Sequence, residues 1–324
     1  MPMVKADGYG LGAVEVARAL EAVQPWGYGV ASTAEGQELR QAGITKPVLV
    51  LSPLIEELGE AAALSLTPAL SNLEQVRAWF GVAGTERPFH VQIDTGMCRA
   101  GFWWEAFAAA QSAFSTAPGF EGAFTHFHSA ESDPDSVVEQ TERFRAAVAA
   151  LPRRPRILHA ANSAAALRYG DATGFDLVRP GIFLYGGAVG PDQPAPVVRW
   201  RARILEVNRR KAGVSVSYGA TWRATGPVAL ATLAAGYADG LRRSLSSKGH
   251  ALIGGRRFGI VGKVTMDMTV VSAREVTAAV DDIATLIGRD GDEEITVDEM
   301  ALRAGTISYE ILTGVGARVR KVYV

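Results

Sequence analysis

Short apolar runs alternate with amphipathic stretches through the first 185 or so residues. Between the runs, apolar residues recur at helical spacing, as Val16, Leu20 and Val23 do, and as they do again in Val137–Leu151. The predicted strands are Met3–Ala6, Gly27–Ala31, Val48–Leu51, Thr67–Leu70, Phe89–Ile93, Gly122–His126, Ile157–Ala160 and Leu177–Arg179. Strands that alternate with helices predict a parallel sheet, and eight such units close into an α/β fold, the (β/α)8 barrel of the TIM type.

An open, doubly wound sheet is the structural alternative. Its usual G-x-G-x-x-G fingerprint after the first strand is absent, because Gly8, Gly10 and Gly12 do not keep that spacing. The barrel is therefore the preferred prediction.

The pattern changes after a Gly- and Pro-rich stretch at Gly186–Pro196, which is typical of a linker. In Val198–Ile204, apolar residues alternate with arginines, which predicts a half-buried strand with a basic solvated face. Further strands are predicted near 214–218, 226–234, 250–261 and 283–287, with one helix near 297–304. The sequence thus predicts a barrel over residues 1–190 and a mainly-β domain over residues 197–324.

Charge and composition narrow the classes of function. The 324 residues carry a formal net charge of −1, which argues against nucleic-acid or acidic-membrane binding through a basic surface. The lone cysteine, Cys98, cannot form an internal disulfide, and no apolar run is long enough to span a membrane. A cytoplasmic protein is the expectation.

Lys5 lies in Val4–Gly12, where a short apolar strand gives way to a Gly-rich turn and a helix. An amine there can form a Schiff base with an aldehyde, while the turn and the helix start can bind that aldehyde's phosphate. The alternative is an ordinary solvated lysine near a terminus.

Other polar residues follow the carboxyl ends of the predicted strands, where barrel active sites lie. Ser163 can offer its hydroxyl to an anion, and the backbone amides of Gly181 and Ile182 can approach one closely. The segments concerned are Asp94–Arg99, Thr125-His126, Asn162-Ser163 and Arg179–Ile182.

Each of these residues also has a simpler interpretation. His126 and His128 share a predicted strand face, and with Asp94 or His159 they could bind a metal, although no further ligand completes a set. His126 could instead be a hydrogen-bonded core residue, Asp94 could brace a turn, and Arg179 could pair with a surface carboxylate.

The second part of the chain contains tyrosine or Met-Asp segments bracketed by glycines. They are Val216–Gly219, Gly236–Gly240 with Arg243, Met266-Asp267 and Ile307–Glu310. Tyrosines on strands commonly pack through the ring, so these segments alone leave structural and functional roles open.

Taken in order along the chain, the motifs resemble those of bacterial alanine racemase, a pyridoxal-phosphate enzyme with a (β/α)8 barrel followed by a β domain. The matching segments are Val4–Gly12, Asp94–Gly101, Thr125–Phe127, Ala161–Ser163, Arg179–Gly186, Ser217–Gly219, Gly236–Gly240, Gly262–Asp267 and Ile307–Val324.

The resemblance implies pyridoxal 5'-phosphate as the cofactor, with a Schiff base on Lys5. It implies that Arg179 faces the pyridine nitrogen, that His126 lies beside the ring and that Arg99 hydrogen-bonds the phenolic oxygen. The remaining cofactor-binding residues that it implies are Tyr9, Asn162, Ser163, Gly181, Ile182 and Tyr309.

The implied activity is the interconversion of L- and D-alanine, which supplies D-alanine for cell-wall precursors. Two bases on opposite faces of the α-carbon, Lys5 and Tyr218, would exchange the proton, with Tyr218 contributed by the other subunit of a homodimer with shared active sites. A tyrosine ordinarily titrates near 10, so this role calls for nearby positive charge. The implied substrate-binding residues are Arg99, Tyr237, Met266 and Asp267.

Some positions depart from the family pattern. Gln92 stands where many members have lysine, which excludes a carbamylated lysine there, and Cys98 replaces a glycine. Met268 and Ser272 replace the usual glutamine and aspartate. Family members usually carry a longer leader before the lysine, so the expectation is a truncated chain or a misassigned start.

Three other functions remain open at this point. A racemase for serine or lysine would share the fold. A decarboxylase of the same layout would require a glycine triplet and a cysteine near the C-terminus, neither of which is found. A non-catalytic pyridoxal-phosphate-binding protein would be a single barrel, without the segment that carries Tyr218.

Overall fold

A computed structural model describes residues 1–273 and 278–324. The chain forms two compact units. One is Met1–Phe183 together with Val189–Asp192, and the other is Leu184–Ala188 together with Gln193–Val324. Within the described residues, none of the helices has the length and apolar character needed to cross a membrane.

A parallel sheet forms the centre of the first unit. Its strands are β1 (Tyr28–Val30), β2 (Val48–Val50), β3 (Thr67–Leu70), β4 (Phe89–Asp94), β5 (Phe102–Trp103), β6 (Phe120–Phe124) and β7 (Ile157–His159). Neighbouring strands pair in the order β1-β2-β3-β4-β6-β7, and the short β5 pairs with β4 at the end of that strand. This is the order in which the sequence predicts the strands.

The sheet is closed into a barrel by the first and last segments of this unit. Met3 bridges in parallel to Gly29 of β1, and Leu177 bridges in parallel to His159 of β7. The Met3 amide then donates to the Pro180 carbonyl at 2.9 Å, which joins the two segments to each other. The predicted (β/α)8 barrel is therefore confirmed, with its first and last strands each shortened to a single bridge.

Helices cover the outside of the sheet because strands buried on both faces need apolar cover. The longest of them, Pro134–Ala149, begins where the Asp133 carboxylate accepts from the Ser136 amide at 3.1 Å, so it starts slightly before the predicted Val137. The α-helices of this unit are Ala13–Leu20, Thr33–Gln41, Leu58–Ala63, Leu73–Ala83, Phe107–Ala110, Pro134–Ala149, Ser163–Tyr169 and Asp171–Gly174. Short 3₁₀ segments are Glu21–Val23, Ile55–Glu57, Trp104–Ala106 and Gln111–Ala113.

The second unit is mainly antiparallel. Its described strands are β8 (Trp200–Arg210), β9 (Ser215–Val216), β10 (Trp222–Arg223), β11 (Val228–Leu233), β12 (His250–Ile253), β13 (Arg256–Ile260), β14 (Thr269–Ala273), β15 (Ile283–Asp290) and β16 (Glu293–Ile295). The main sheet runs β12-β13-β14-β11-β8-β15-β16, and an added pairing between β12 and β15 closes it into a barrel. The predicted mainly-β character is confirmed.

Details of this unit extend the predictions. Along β8, Trp200, Ala202 and Ile204 are buried while Arg201 and Arg203 are exposed, as the alternation indicates. The helix Val297–Ala304 is where the sequence places it, and a second helix, Ser308–Thr313, follows it. The strand β14 was not predicted, because its apolar run is short and polar residues flank it. Short 3₁₀ segments are Tyr218–Ala220, Tyr237–Asp239 and Arg243–Leu245.

The core of the barrel unit offers a direct test of its packing. Phe144 of the helix Pro134–Ala149 is fully buried, and its ring meets that of Phe175 edge-on at 5.2 Å between centroids. We expect Phe144→Ala to lower the free energy of unfolding by about 3–5 kcal/mol, measured by urea denaturation, because a cavity replaces the ring. Val138→Ala on the same helix, where the side chain is 56% exposed, should change stability by less than about 0.5 kcal/mol. Equal losses in both variants would contradict this packing.

Candidate active site

The backbone after Val4 makes a left-handed helical turn. Ala6, Asp7 and Tyr9 have φ values of +53°, +53° and +55°, with Gly8 at +58° between them. A left-handed conformation costs roughly 1–2 kcal/mol for each non-glycine residue. Strain of this kind persists only where the surroundings enforce it, and it collects at functional sites.

Two carboxylates hold the turn in place. Glu35 accepts from the Ala6 amide at 2.8 Å through one oxygen and from the Ala31 amide at 2.7 Å through the other. Asp7 accepts from the Ala13 amide at 2.9 Å, at the start of the next helix. The sequence analysis missed Glu35, although Ser32-x-x-Glu35 is a helix-start pattern that would have drawn attention to it.

Lys5 is the residue from which this turn begins, and it is only partly exposed. Burial lowers the pKa of its amine from the ordinary 10.5, and the positive charge of Arg99 lowers it further. Glu35 opposes the shift and Arg179 adds to it. The net effect favours the neutral amine, which is the nucleophilic and basic form.

Arg179 is buried, 3% exposed, at the end of the last barrel segment. One terminal nitrogen donates to His159 Nδ1 at 2.7 Å. The other donates to the Thr125 and Ala160 carbonyls at 2.7 and 2.9 Å, and reaches His126 Nδ1 at 3.3 Å. Burial lowers the Arg179 pKa to about 9, so the guanidinium remains charged near neutral pH. The structure therefore does not support the surface ion pair that the sequence left open for Arg179.

His126 stays neutral beside this cation. Burial lowers its pKa to about 3, and the positive charges of Arg179, Arg99 and Lys5 act in the same direction. The strand β6 ends at Phe124, so His126 and His128 do not share a strand face, and His128 bonds the Ser129 hydroxyl instead. Among residues 1–273 and 278–324, no group of three or more His, Cys, Asp or Glu side chains could hold a metal ion.

A small polar cradle forms between the ends of the last two barrel segments. The Gly181 amide donates to the Ser163 hydroxyl at 2.8 Å, and Asn162 caps the helix Ser163–Tyr169 by accepting from the Ala165 amide at 3.0 Å. A Cβ on residue 181 would lie 2.3 Å from the Tyr9 hydroxyl, so that close approach requires glycine. Ile182 follows directly and is buried. The cradle thus gathers Tyr9, Asn162, Ser163, Gly181 and Ile182.

Asp94 braces the loop that carries Arg99. Its carboxylate accepts from the amides of Gly96, Cys98 and Arg99 at 2.9, 3.1 and 3.2 Å. The turn-bracing interpretation of Asp94 is therefore the one that the structure supports. Cys98 has φ +53°, the left-handed conformation for which a glycine would be better suited. The Arg99 side chain is exposed.

In the second unit, Tyr237, Met266 and Asp267 lie together. The Tyr237 amide donates to the Thr265 carbonyl at 2.9 Å, and the Ala238 amide donates to the Met266 carbonyl at 3.0 Å. The Arg318 guanidinium forms ion pairs with the Asp267 carboxylate at 2.8 Å and with the Asp239 carboxylate at 2.6 Å. The sequence analysis missed Arg318, which lies inside the segment Ile307–Val324 that carries the family resemblance.

Tyr218 and Tyr309 belong to the same unit. The Tyr218 side chain is 74% exposed at the start of a 3₁₀ segment, after Ser217, whose hydroxyl donates to the Lys263 carbonyl at 2.7 Å. The Lys263 amine lies 3.3 Å from where a Cβ on Gly219 would be, so a positive charge accompanies this segment. Tyr309 is 38% exposed and is the second residue of the helix Ser308–Thr313.

The pKa of Lys5 has a consequence for stability. Between the lowered pKa of the folded state and 10.5, the unfolded chain binds more protons than the folded one, so the free energy of unfolding rises with pH across that window. We expect Lys5→Met to be more stable than the wild type at neutral pH, with the difference shrinking as the pH rises toward 10.5. Urea denaturation at a series of pH values measures it, with exposed Lys211→Met as the control. A difference that does not change with pH would count against the lowered pKa.

Comparison with known proteins gives a consistent result over the whole chain. The family profile described as "Alanine racemase, N-terminal domain" matches residues 1–189, and "Alanine racemase, C-terminal domain" matches residues 197–323. The alanine racemase of Carboxydothermus hydrogenoformans is 40% identical over 341 residues, covering 100% of this chain and 92% of the relative.

Solved structures agree. The alanine racemase from Streptomyces coelicolor superimposes with a TM-score of 0.94 at 32% identity, covering 100% of this chain and 91% of that one. The alanine racemase from Bacillus anthracis with bound L-Ala-P has a TM-score of 0.89 at 31% identity, covering 98% of this chain and 86% of that one. This chain belongs to the alanine racemase family.

Proposed function

We propose that the protein interconverts L- and D-alanine, with pyridoxal 5'-phosphate bound at the open end of the barrel. The observation that carries the proposal is the placement of the Lys5 amine, with a lowered pKa, at the start of an enforced left-handed turn. The lowered pKa makes the neutral form of this fixed amine more accessible, which suits both attachment of an aldehyde and proton transfer.

The residues present fit this cofactor. The cradle of Tyr9, Asn162, Ser163, Gly181 and Ile182 offers hydroxyls and backbone amides, and the missing Cβ at Gly181 lets the Tyr9 hydroxyl approach the backbone there. Such groups bind phosphate. Tyr309 is assigned to the phosphate by the resemblance alone.

The pyridine ring of the cofactor would lie near Arg179, His126 and Arg99. Arg179 uses both terminal nitrogens within the barrel, which leaves Nε without an acceptor among the described residues and free for the pyridine nitrogen. Since an arginine keeps its proton near neutral pH, it donates to that nitrogen rather than protonating it. His126 is neutral beside Arg179, and Arg99 is the donor proposed for the phenolic oxygen.

When bound, pyridoxal phosphate supplies an electron sink that acidifies the substrate's α-hydrogen. Lys5 would take or return that proton on one face of the α-carbon. Tyr218, from the partner subunit, would do so on the other face. Arg99, Tyr237, Met266 and Asp267 would bind the substrate, with Arg318 holding Asp267 in place.

The organisation that we propose is a cofactor-binding barrel over residues 1–190 and a β-rich domain over residues 197–324 that completes the active site of a second subunit. The product would be D-alanine for cell-wall precursors. A cytoplasmic location is consistent with the lone cysteine, Cys98.

The decisive test is formation of D-alanine from L-alanine by the purified protein with added pyridoxal phosphate. We expect Lys5→Ala to abolish it, because the residue both attaches the cofactor and transfers the proton. Lys46→Ala, at a lysine bonded to the Pro25 carbonyl, should retain it. Borohydride reduction followed by peptide mapping should place the cofactor label on Lys5. A label on another lysine, or activity in Lys5→Ala, would refute the assignment.

The shared site is tested by mixing two inactive variants, Lys5→Ala and Tyr218→Phe, under conditions that exchange subunits. In a homodimer with sites built across the interface, half of the subunit pairs are hybrids with one intact site. An equal mixture should therefore recover about a quarter of the wild-type activity. Mass spectrometry of tagged subunits confirms that exchange has occurred. No recovery after proven exchange would mean that both groups act within one chain.

A further inference from the structure

A chain of hydrogen bonds runs through the barrel interior behind Arg179. The guanidinium donates to His159 Nδ1 at 2.7 Å. His159 Nε2 lies 2.9 Å from His90 Nδ1, and His90 Nε2 lies 3.4 Å from a Glu121 carboxylate oxygen. The other Glu121 oxygen contacts Arg156, whose side chain is 71% exposed. This series of hydrogen bonds thus connects Arg179 with a surface ion pair through two fully buried imidazoles.

Proton positions along this chain have one consistent arrangement. An arginine N–H can only donate, so His159 Nδ1 must accept and its proton must lie on Nε2. That Nε2–H donates to His90 Nδ1, which places the His90 proton on Nε2 as well. His90 Nε2–H then donates to the Glu121 carboxylate, which can only accept.

Both imidazoles are neutral, so their tautomers are what matters. Burial lowers the pKa of His90 and lowers that of His159 well below 6.5, with the positive charge of Arg179 acting further on both. The hydrogen bond from His90 in turn holds the Glu121 pKa below its ordinary value. The carboxylate is thus the charged end of the chain opposite Arg179.

Packing prevents the rings from adapting by rotation. His159 stacks on Phe124 with centroids 4.7 Å apart and planes 12° from parallel, and the Arg179 guanidinium carbon lies 5.3 Å from the centroid of the same Phe124 ring. A Cβ on Gly122 would lie 2.5 Å from the His90 ring, so glycine makes the room that His90 occupies. With the rings fixed, a reversed tautomer would point an N–H of His159 at an N–H of Arg179.

We propose that Glu121 and His90 are positioning residues for Arg179: the carboxylate accepts from His90 and so stabilises the Nε2–H tautomer of both imidazoles, in which His159 Nδ1 is the acceptor that orients the guanidinium. The part of this inference that concerns the cofactor rests on the proposed function, in which Arg179 faces the pyridine nitrogen. The tautomers themselves do not depend on it.

The test begins with the wild-type protein labelled with ¹⁵N-histidine. Its five histidines can be assigned by single substitution. Long-range ¹H–¹⁵N correlation spectra should show His90 and His159 as neutral Nε2–H tautomers, with and without pyridoxal phosphate. A protonated imidazole, or an Nδ1–H tautomer at His159, would overturn the proposal.

Glu121→Gln then removes the charge with little change of shape. An amide can present an NH2 donor as well as a C=O acceptor to His90 Nε2, so it no longer excludes the reversed tautomer as a carboxylate does. We therefore expect the Nε2–H population of both imidazoles to fall, and cofactor affinity to fall about tenfold, the scale on which outer-shell partners act at metal sites. Glu15→Gln, at an exposed carboxylate paired with Arg18, should leave both properties unchanged. Arg156→Gln should leave the tautomers unchanged, because it keeps the carboxylate.

Unchanged tautomers and affinity in folded Glu121→Gln protein would overturn the positioning role. Where that variant does not fold, His90→Gln tests the next link, since it should lower the Nε2–H population of His159, and an unchanged population there would equally overturn the proposal. If the predicted tautomers and their loss are observed while the wild type forms no D-alanine, the positioning of Arg179 is supported and the proposed function fails.

Discussion

The hydrogen bonds that close the barrel determine where the segment before Lys5 lies. Met3 bridges to Gly29 of β1 on one side and donates to the Pro180 carbonyl on the other, so this segment is held between β1 and the last barrel segment. Lys5 can therefore stand close to the segment that carries Arg179 and Gly181, far along the chain. The same closure ends the first strand after a single bridge and allows the backbone to turn left-handed immediately afterwards. Fold stability and the placement of the amine thus depend on the same few bonds.

The strain of that turn is offset by charge and hydrogen bonding. Three non-glycine residues in the left-handed region cost roughly 1–2 kcal/mol each. Glu35 accepts from the Ala6 amide in the turn and from the Ala31 amide beside it, and Asp7 accepts from the Ala13 amide of the next helix. Hydrogen bonds to charged groups contribute about 1.5–3 kcal/mol apiece. Because the bonds are directional, they also select one geometry. Glu35 has a second effect, since its negative charge limits how far the Lys5 pKa falls.

Strand order, the barrel and the β-rich second unit follow from the sequence because apolar periodicity reflects burial, and burial is what these elements share. The strand-end rule likewise led to His126, Ser163 and Arg179. It did not lead to Glu121, whose contact with His90 joins segments distant in the chain. Nor did it lead to Glu35, because a helix-start pattern marks that residue without encoding its bond to the Ala6 amide. Left-handed φ values at Ala6 and Asp7 were also out of reach, since neither residue is glycine. Tertiary contacts overrode local preference at those positions.

Protonation in the barrel mouth depends on the ordinary pKa from which each group starts. Burial lowers the pKa of Lys5, His126 and Arg179, and neighbouring positive charges lower those of Lys5 and His126 further. The three groups start from very different ordinary pKa values, highest for the arginine and lowest for the histidine. The common shift leaves His126 neutral and Arg179 charged near neutral pH, while it moves Lys5 toward the pH range in which an amine can exchange a proton. One environment therefore yields a permanent donor, a neutral neighbour and an adjustable base. A lysine has a lower ordinary pKa than an arginine and loses its charge more readily on burial, so arginine is the residue suited to a lasting charge at this position.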